Sequence, residues 1–191
     1  MTRPKQIQTH CQIVISGVGG QGVLFVTRLL AEAAIRHDLK VFTSETHGMA
    51  QRGGTVISHL KVGDFTSPLI NPGRADGLVA LKAECLAQHG GYLKPGGWAV
   101  VNSAAPPETR NDVHLACIDA DRLVRDLGNP KALNLVMLGY ALAGSIGTPG
   151  ALHCTLEDVS AVLENRLKNR PPLLAASLRA LRAGADGFAA G

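Results

Sequence analysis

Ile13-Val14-Ile15-Ser16-Gly17-Val18-Gly19-Gly20-Gln21-Gly22 runs a nearly apolar segment straight into a glycine turn of the form G-x-G-x-x-G, and a helical residue pattern follows. Strand, glycine turn and helix in that order form the setting in which this spacing marks a phosphate-binding turn. Gly17 and Gly19 permit a tight turn and a close approach of the backbone to a ligand. A helix beginning near Gln21 would aim its free N–H groups and the positive end of its dipole at an anion. Glycine turns also serve close packing of strand on helix. Gly17, Gly19, Gly20, Gln21 and Gly22 are therefore candidate cofactor-binding residues, with pure packing as the competing reading.

Working outward, Cys11 to Ser16 has the continuous apolar character of a strand covered on both faces. Val23, Val26, Leu30, Ala33 and Ala34 recur at helical spacing, and Arg36 and His37 close that helix. Lys40 to Ser44 reads as the second strand, which completes a strand–helix–strand unit with parallel strands. Thr55 to Val62 alternates as a third strand. The link from Ser44 to Thr55 is too short for a crossover helix, so this strand is expected to run antiparallel to the second.

That link is the second glycine-rich segment, Glu45-Thr46-His47-Gly48-Met49-Ala50-Gln51-Arg52-Gly53-Gly54. It holds a carboxylate, an imidazole, an amide and a guanidinium among three glycines, more polar chemistry than folding requires. Arg52 could clamp a phosphate or carboxylate in bidentate fashion, and His47 could donate to one. Glu45, His47, Gly48, Met49, Gln51, Arg52, Gly53 and Gly54 form a candidate substrate or interface loop, and pairing with a partner chain weighs as much as ligand binding. The site is expected where the two glycine segments meet. His59, on an alternating strand, reads as a structural histidine.

Downstream, Ala75 to Leu81 is a fourth strand, followed by a short helix through Ala87. Lys94-Pro95-Gly96-Gly97 turns into the strand Trp98 to Val101, with Asn102 at its end as a further candidate site residue, and Leu115 to Ile118 is the last strand. From Asp119 the pattern is helical: a capped piece ending at Leu127-Gly128, a longer helix from Asn129-Pro130, and a helix to about Leu167 behind the Thr155-Leu156-Glu157-Asp158 capping box. A final helix spans Leu173 to Ala183, and Gly184 to Gly191 reads as a loose tail. The expected fold is α/β: one Rossmann-like three-layer domain over residues 1–191, with a mostly parallel, mixed sheet and a helical C-terminal third. Residues 1–10 form an extension.

Composition narrows the function. With 191 residues and 46% hydrophobic content the chain can bury a full core. Aromatics at 4% argue against a base-stacking platform for single-stranded nucleic acid. The net charge of +4 is spread along the chain rather than gathered in the patch that a nucleic-acid footprint needs, and it suits a merely soluble surface or a small anionic ligand. The four cysteines, Cys11, Cys85, Cys117 and Cys154, show no C-x-x-C pair or cluster spacing, so they read as buried thiols with no metal or iron–sulfur role. The polar N-terminus lacks a signal-peptide core and no segment reaches the length of a membrane span, so a cytoplasmic location is expected.

The glycine turn and the Glu45-x-His47-Gly48-Met49-Ala50-Gln51-Arg52-Gly53-Gly54-x-Val56-x-Ser58-His59 segment, with Ser67-Pro68-Leu69-Ile70, Leu93 to Gly97, Asn102 and Asn134 to Gly139, resemble the gamma-type domain of 2-oxoacid:ferredoxin oxidoreductases. The form of the second segment is most similar to the beta subunit of indolepyruvate ferredoxin oxidoreductase. Thr46 stands where an apolar residue is expected. The resemblance implies a non-catalytic subunit of an enzyme that converts a 2-oxoacid, indolepyruvate or another aryl pyruvate, and coenzyme A to acyl-coenzyme A and carbon dioxide, reducing ferredoxin. It places thiamine diphosphate, Mg2+ and the iron–sulfur clusters on a large partner subunit, with coenzyme A a candidate for sharing and the isolated chain inactive. No catalytic residue is assigned here. The alternative is an independent Rossmann-type nucleotide-binding protein or small NAD(P)-dependent dehydrogenase, in which Glu45 would hold a ribose hydroxyl; a third reading is a scaffold whose glycine turns only pack.

Overall fold

The computed structural model describes residues 10–47, 54–143 and 152–189. Six strands form one sheet: β1 (Cys11–Val18), β2 (Val41–His47), β3 (Thr55–Val62), β4 (Ala75–Ala80), β5 (Leu93–Asn102) and β6 (His114–Ile118), in the order β2-β3-β1-β4-β5-β6. β1, β4, β5 and β6 pair in parallel. β3 runs antiparallel to both β1 and β2. The mixed sheet expected from the short link after β2 is therefore present. One detail differs. β1 and β2 are parallel, as a strand–helix–strand unit requires, but they are not neighbours, because β3 inserts between them with Val14 opposite His59 and Ser44 opposite His59 from the other side.

Helices cover both faces. Ile13, Ile15, Leu60, Val62, Val79, Leu81, Trp98 and Val100 point to one face, against α1 (Val23–Arg36), α4 (Leu133–Leu142), α5 (Leu156–Leu167) and α6 (Pro171–Ala189). Val14, Ile57, Leu78, Ala80, Ala99 and Val101 point to the other, against Cys85 and Leu86 of α2 (Ala83–His89) and against Ile70. The central strands thus alternate between two apolar layers rather than between core and water, which is why they read as continuous apolar runs. α4 is buried along all ten of its residues because it lies between the sheet and α6. At Gly77 a Cβ would fall inside the indole of Trp98, its register partner on β5. Gly77→Ala should accordingly destabilise the chain by about 1–3 kcal/mol, the usual cost of overpacking, read as a lower denaturation midpoint; an unchanged midpoint would mean that Trp98 has room to move.

The caps agree with the sequence signals. The Asp119 side chain accepts from Arg122 N at 2.8 Å to open α3 (Ala120–Asp126). Thr155 and Asp158 form a reciprocal capping box on α5. The loose tail expected from Gly184 is corrected: α6 continues to Ala189. Gly184 lies against the backbone of Val136 and Gly139 against the backbone of Leu181, so each glycine lets α4 and α6 approach backbone to backbone. Packing at that crossing offsets the poor helix propensity of the glycines. Among the described residues no helix is long and apolar enough to cross a membrane.

Candidate functional site

β1, β2, β4, β5 and β6 all end on the same edge of the sheet, and β3 begins there. β1 leads into α1 on one face, whereas β4 leads into α2 on the other. The crevice between two neighbouring strands that diverge to opposite faces is where open α/β sheets bind ligands. The glycine turn occupies it.

The turn is closed by Gln21 N donating to Val18 O at 3.0 Å, with Gly20 at φ 92° in the third position, the signature of a type II turn. The Gln21 side chain folds inward. Its Oε1 accepts from Val18 N at 2.7 Å and its Nε2 donates to Leu81 O at 3.3 Å. Gly22 caps α1 at φ 81°, and a Cβ there would fall on the Asn134 amide nitrogen. A Cβ at Gly17 would stand 2.9 Å from both Gln21 Oε1 and Val23 Cγ2, so Gly17 is a packing glycine. Among the described residues, a Cβ at Gly19 would meet only Gly54 O, at 3.8 Å. Of the five residues proposed from sequence, Gln21 braces the turn and Gly19, Gly20 and Gly22 line a groove.

That groove has a volume of about 440 Å³ and is walled by Val18, the first turn of α1 with Phe25 and Arg28, and Val56. No side chain caps α1 and no acidic residue lies in its first turn. Its N–H groups and dipole therefore present an uncompensated positive end. Arg28, exposed on the next turn, adds a full charge beside the apolar surface of Leu24, Phe25 and Val56. The combination suits an anionic group joined to an apolar one.

The two glycine segments do meet. Gly19 N donates to Gly54 O at 3.1 Å, and Thr55 donates through Oγ1 to Gln88 on α2 at 2.8 Å. Glu45 is exposed on β2 opposite Ser58, and His47 lies opposite Val56 in the backbone register. Gly48, Met49, Gln51, Arg52 and Gly53 lie outside the described residues. Because β3 separates β2 from β1, Glu45 sits two strand spacings, about 10 Å, from the strand that carries the glycine turn. A ribose-binding carboxylate belongs on the strand next to that turn, so the topology works against the dinucleotide reading.

Asn102 ends β5 at the same edge but is 5% exposed. Its amide donates to Leu81 O at 3.2 Å and Asp121 Oδ2 at 2.9 Å, and its carbonyl accepts from Ala120 N at 3.0 Å. It is a brace rather than a surface group. Asn134, Arg28 and Phe25 escaped sequence-based site assignment; only the buried amide at the start of the apolar α4 stretch offered a signal. Ser58 Oγ, opposite Glu45 and fully buried, has no hydrogen-bond partner among the described residues.

The histidines with shifted titration pack and hydrogen-bond within the fold. His59 accepts from Ile70 N at 3.2 Å and sets its ring edge to Tyr92 at 5.3 Å, in line with the structural reading. Ser16 Oγ and His89 Nδ1 are 2.8 Å apart. His153 is wholly buried, with Nε2 2.8 Å from Leu30 O and Nδ1 facing Cys11 Sγ at 3.5 Å. Burial lowers all three histidines below their ordinary value of 6.5. The unfolded chain then takes up protons that the folded chain refuses, so stability is complete above about pH 6.5 and declines as the pH falls below it. His153 alone should contribute a slope of about 1 kcal/mol per pH unit there. Urea titrations at pH values from about 7 to about 5 should show this decline, and His153→Gln should flatten it. A flat wild-type profile would contradict the assignment. Burial likewise pushes the Cys11 thiol up to about 12 and raises Cys85 and Cys117, so these sulfurs stay protonated. Among the described residues no group of three or more His, Cys, Asp or Glu side chains is placed to hold a metal ion.

Taken together, the sheet order, the switch-point groove and the uncapped helix define an open-sheet α/β domain with a groove at its carboxyl edge. The family model for pyruvate ferredoxin/flavodoxin oxidoreductase matches residues 12–187, and the chain belongs to that family. It is 31% identical to the indolepyruvate oxidoreductase subunit IorB of Archaeoglobus fulgidus, over 90% of this chain and 92% of that one. The corresponding subunit of Thermococcus kodakarensis is 30% identical over 90% and 93%. Among solved structures, the gamma subunit of a keto/oxoacid ferredoxin oxidoreductase from Geobacter sulfurreducens superposes with a TM-score of 0.74 at 24% identity, covering 95% of this chain and 99% of that one. A 2-oxoglutarate:ferredoxin oxidoreductase from Magnetococcus marinus gives 0.77 at 21% identity, covering 96% of this chain but 32% of that one. These structural likenesses establish the fold.

Proposed function

We propose that this chain is the non-catalytic subunit of a 2-oxoacid:ferredoxin oxidoreductase whose substrate class is the aryl pyruvates, indolepyruvate foremost. The overall reaction joins the 2-oxoacid to coenzyme A, releases carbon dioxide and passes two electrons to ferredoxin. Thiamine diphosphate with Mg2+ supplies the decarboxylation chemistry and iron–sulfur clusters carry the electrons, all on a large partner subunit. The observation that carries the reading is the nearly end-to-end match to indolepyruvate oxidoreductase subunits.

Within the complex, this chain's residues bind and position. The α1 amides and Arg28 hold phosphate oxygens of coenzyme A, and Leu24, Phe25 and Val56 receive its less polar portion. Glu45, His47 and Arg52, with Gly48, Met49, Gln51, Gly53 and Gly54, serve the same cleft or the contact with the partner, which supplies the opposite wall. The chain works in the cytoplasm and has no catalytic activity alone. Titration of the pure chain and of the complex with coenzyme A and separately with NAD(P) tests this reading. Coenzyme A should bind the complex more tightly than it binds the chain, and NAD(P) should bind neither. Tight NAD(P) binding by the chain alone would restore the dehydrogenase alternative.

A further inference from the structure

The Leu81 carbonyl is a hydrogen-bond hub. It accepts from Gln21 Nε2 at 3.3 Å and from Asn102 Nδ2 at 3.2 Å, while Leu81 N donates to Ser16 O at 2.8 Å. Gln21 passes the connection to Val18 N, and Asn102 passes it to Ala120 N and Asp121 at the start of α3. A row of amides thus runs along the carboxyl edge of the sheet, from α3 across β5 and β4 to the glycine turn. Leu81 is fully buried and Asn102 nearly so, so each group depends on the next for its partner.

We propose that Asn102 is a positioning residue for the glycine turn. It orients the Leu81 carbonyl, the carbonyl orients the Gln21 carboxamide, and Gln21 fixes Val18 to Gly22 in the shape that presents the first turn of α1. Its consequence for coenzyme A rests on the function proposed above. The positioning itself does not. Asn102→Asp retains the acceptor for Ala120 N but sets an acceptor against Leu81 O and against the Asp121 carboxylate.

Two measurements decide it. In amide NMR spectra of the full chain, Asn102→Asp should shift the Val18 and Gly19 resonances, and Gln21→Ala should in return shift the Asn102 side-chain amide. The reciprocal arm keeps the test open if Asn102→Asp does not fold. In the reconstituted complex, Asn102→Asp should raise the KM for coenzyme A about fivefold, the equivalent of one neutral hydrogen bond, with kcat held. It should add nothing further in a Gln21→Ala background. Shifts confined to Leu81, Ala120 and their neighbours, or effects of the two substitutions that simply multiply, would overturn the proposal. If the Val18 resonance moves while neither Asn102→Asp nor Gly19→Ala changes the KM, the positioning stands and the coenzyme A reading falls.

Discussion

Gly184→Ala should destabilise the protein by about 3 kcal/mol or more, lowering Tm by about 6–12 °C for a chain of this size. In an exposed helix the same change would add up to about 1 kcal/mol of stability, because alanine is the better helix former. Here the sign reverses. A Cβ at Gly184 would fall on the Val136 carbonyl oxygen and stand 3.0 Å from Tyr140 N, and both belong to the backbone of α4 and cannot rotate away. The reciprocal site behaves alike: a Cβ at Gly139 would fall on Leu181 O and stand 2.8 Å from the Leu181 carbonyl carbon. Either methyl would force α4 and α6 apart, and α4 is buried on every side. Because the two substitutions relieve each other once the helices have separated, the double variant should cost less than the sum of the singles. Thermal melts of the three variants read this directly. Wild-type stability in Gly184→Ala would mean that the helices do not cross at this contact.

Gly19→Ala should leave Tm unchanged or slightly raised yet increase the KM of the complex for coenzyme A about tenfold, a loss of about 1.4 kcal/mol of binding. Gly19 is not held at positive φ, and among the described residues the atom nearest its Cβ direction is Gly54 O at 3.8 Å. The methyl therefore costs the fold nothing but enters the groove at the mouth of α1, where a phosphate needs the backbone at hydrogen-bond distance. Gly22→Ala is the contrasting control. Its positive φ and the Asn134 amide make it a folding defect, seen as a lower Tm before any kinetic effect. An unchanged KM in a well-folded Gly19→Ala complex would remove the turn from the coenzyme A site.

Much of this arrangement is legible in the residues, and the illegible part has a physical cause. The strand–turn–helix entry, the capping box at Thr155 and the antiparallel third strand follow from local rules: spacing, cap chemistry and link length. The position of β3 between β2 and β1 does not follow. Alternation states which faces a strand presents but not which neighbours it pairs with, and that choice moved Glu45 away from the glycine turn. Gln21 illustrates the same limit at the site. In the sequence it stands in a ligand-binding turn, yet its side chain answers to a carbonyl sixty residues away, at Leu81. Asn134 reaches Gly22 across 112 residues. At the C-terminus, Gly184 reads as a helix breaker because its compensation lies on another helix.

Reconstitution with the proposed thiamine diphosphate and iron–sulfur subunit separates a dependent subunit from an independent protein. The rate of coenzyme A-dependent ferredoxin reduction with indolepyruvate would be measured for each chain alone and for the two together. No activity is expected from this chain, little from the large subunit, and full activity only when they are combined. Full activity from the large subunit alone would contradict that expectation.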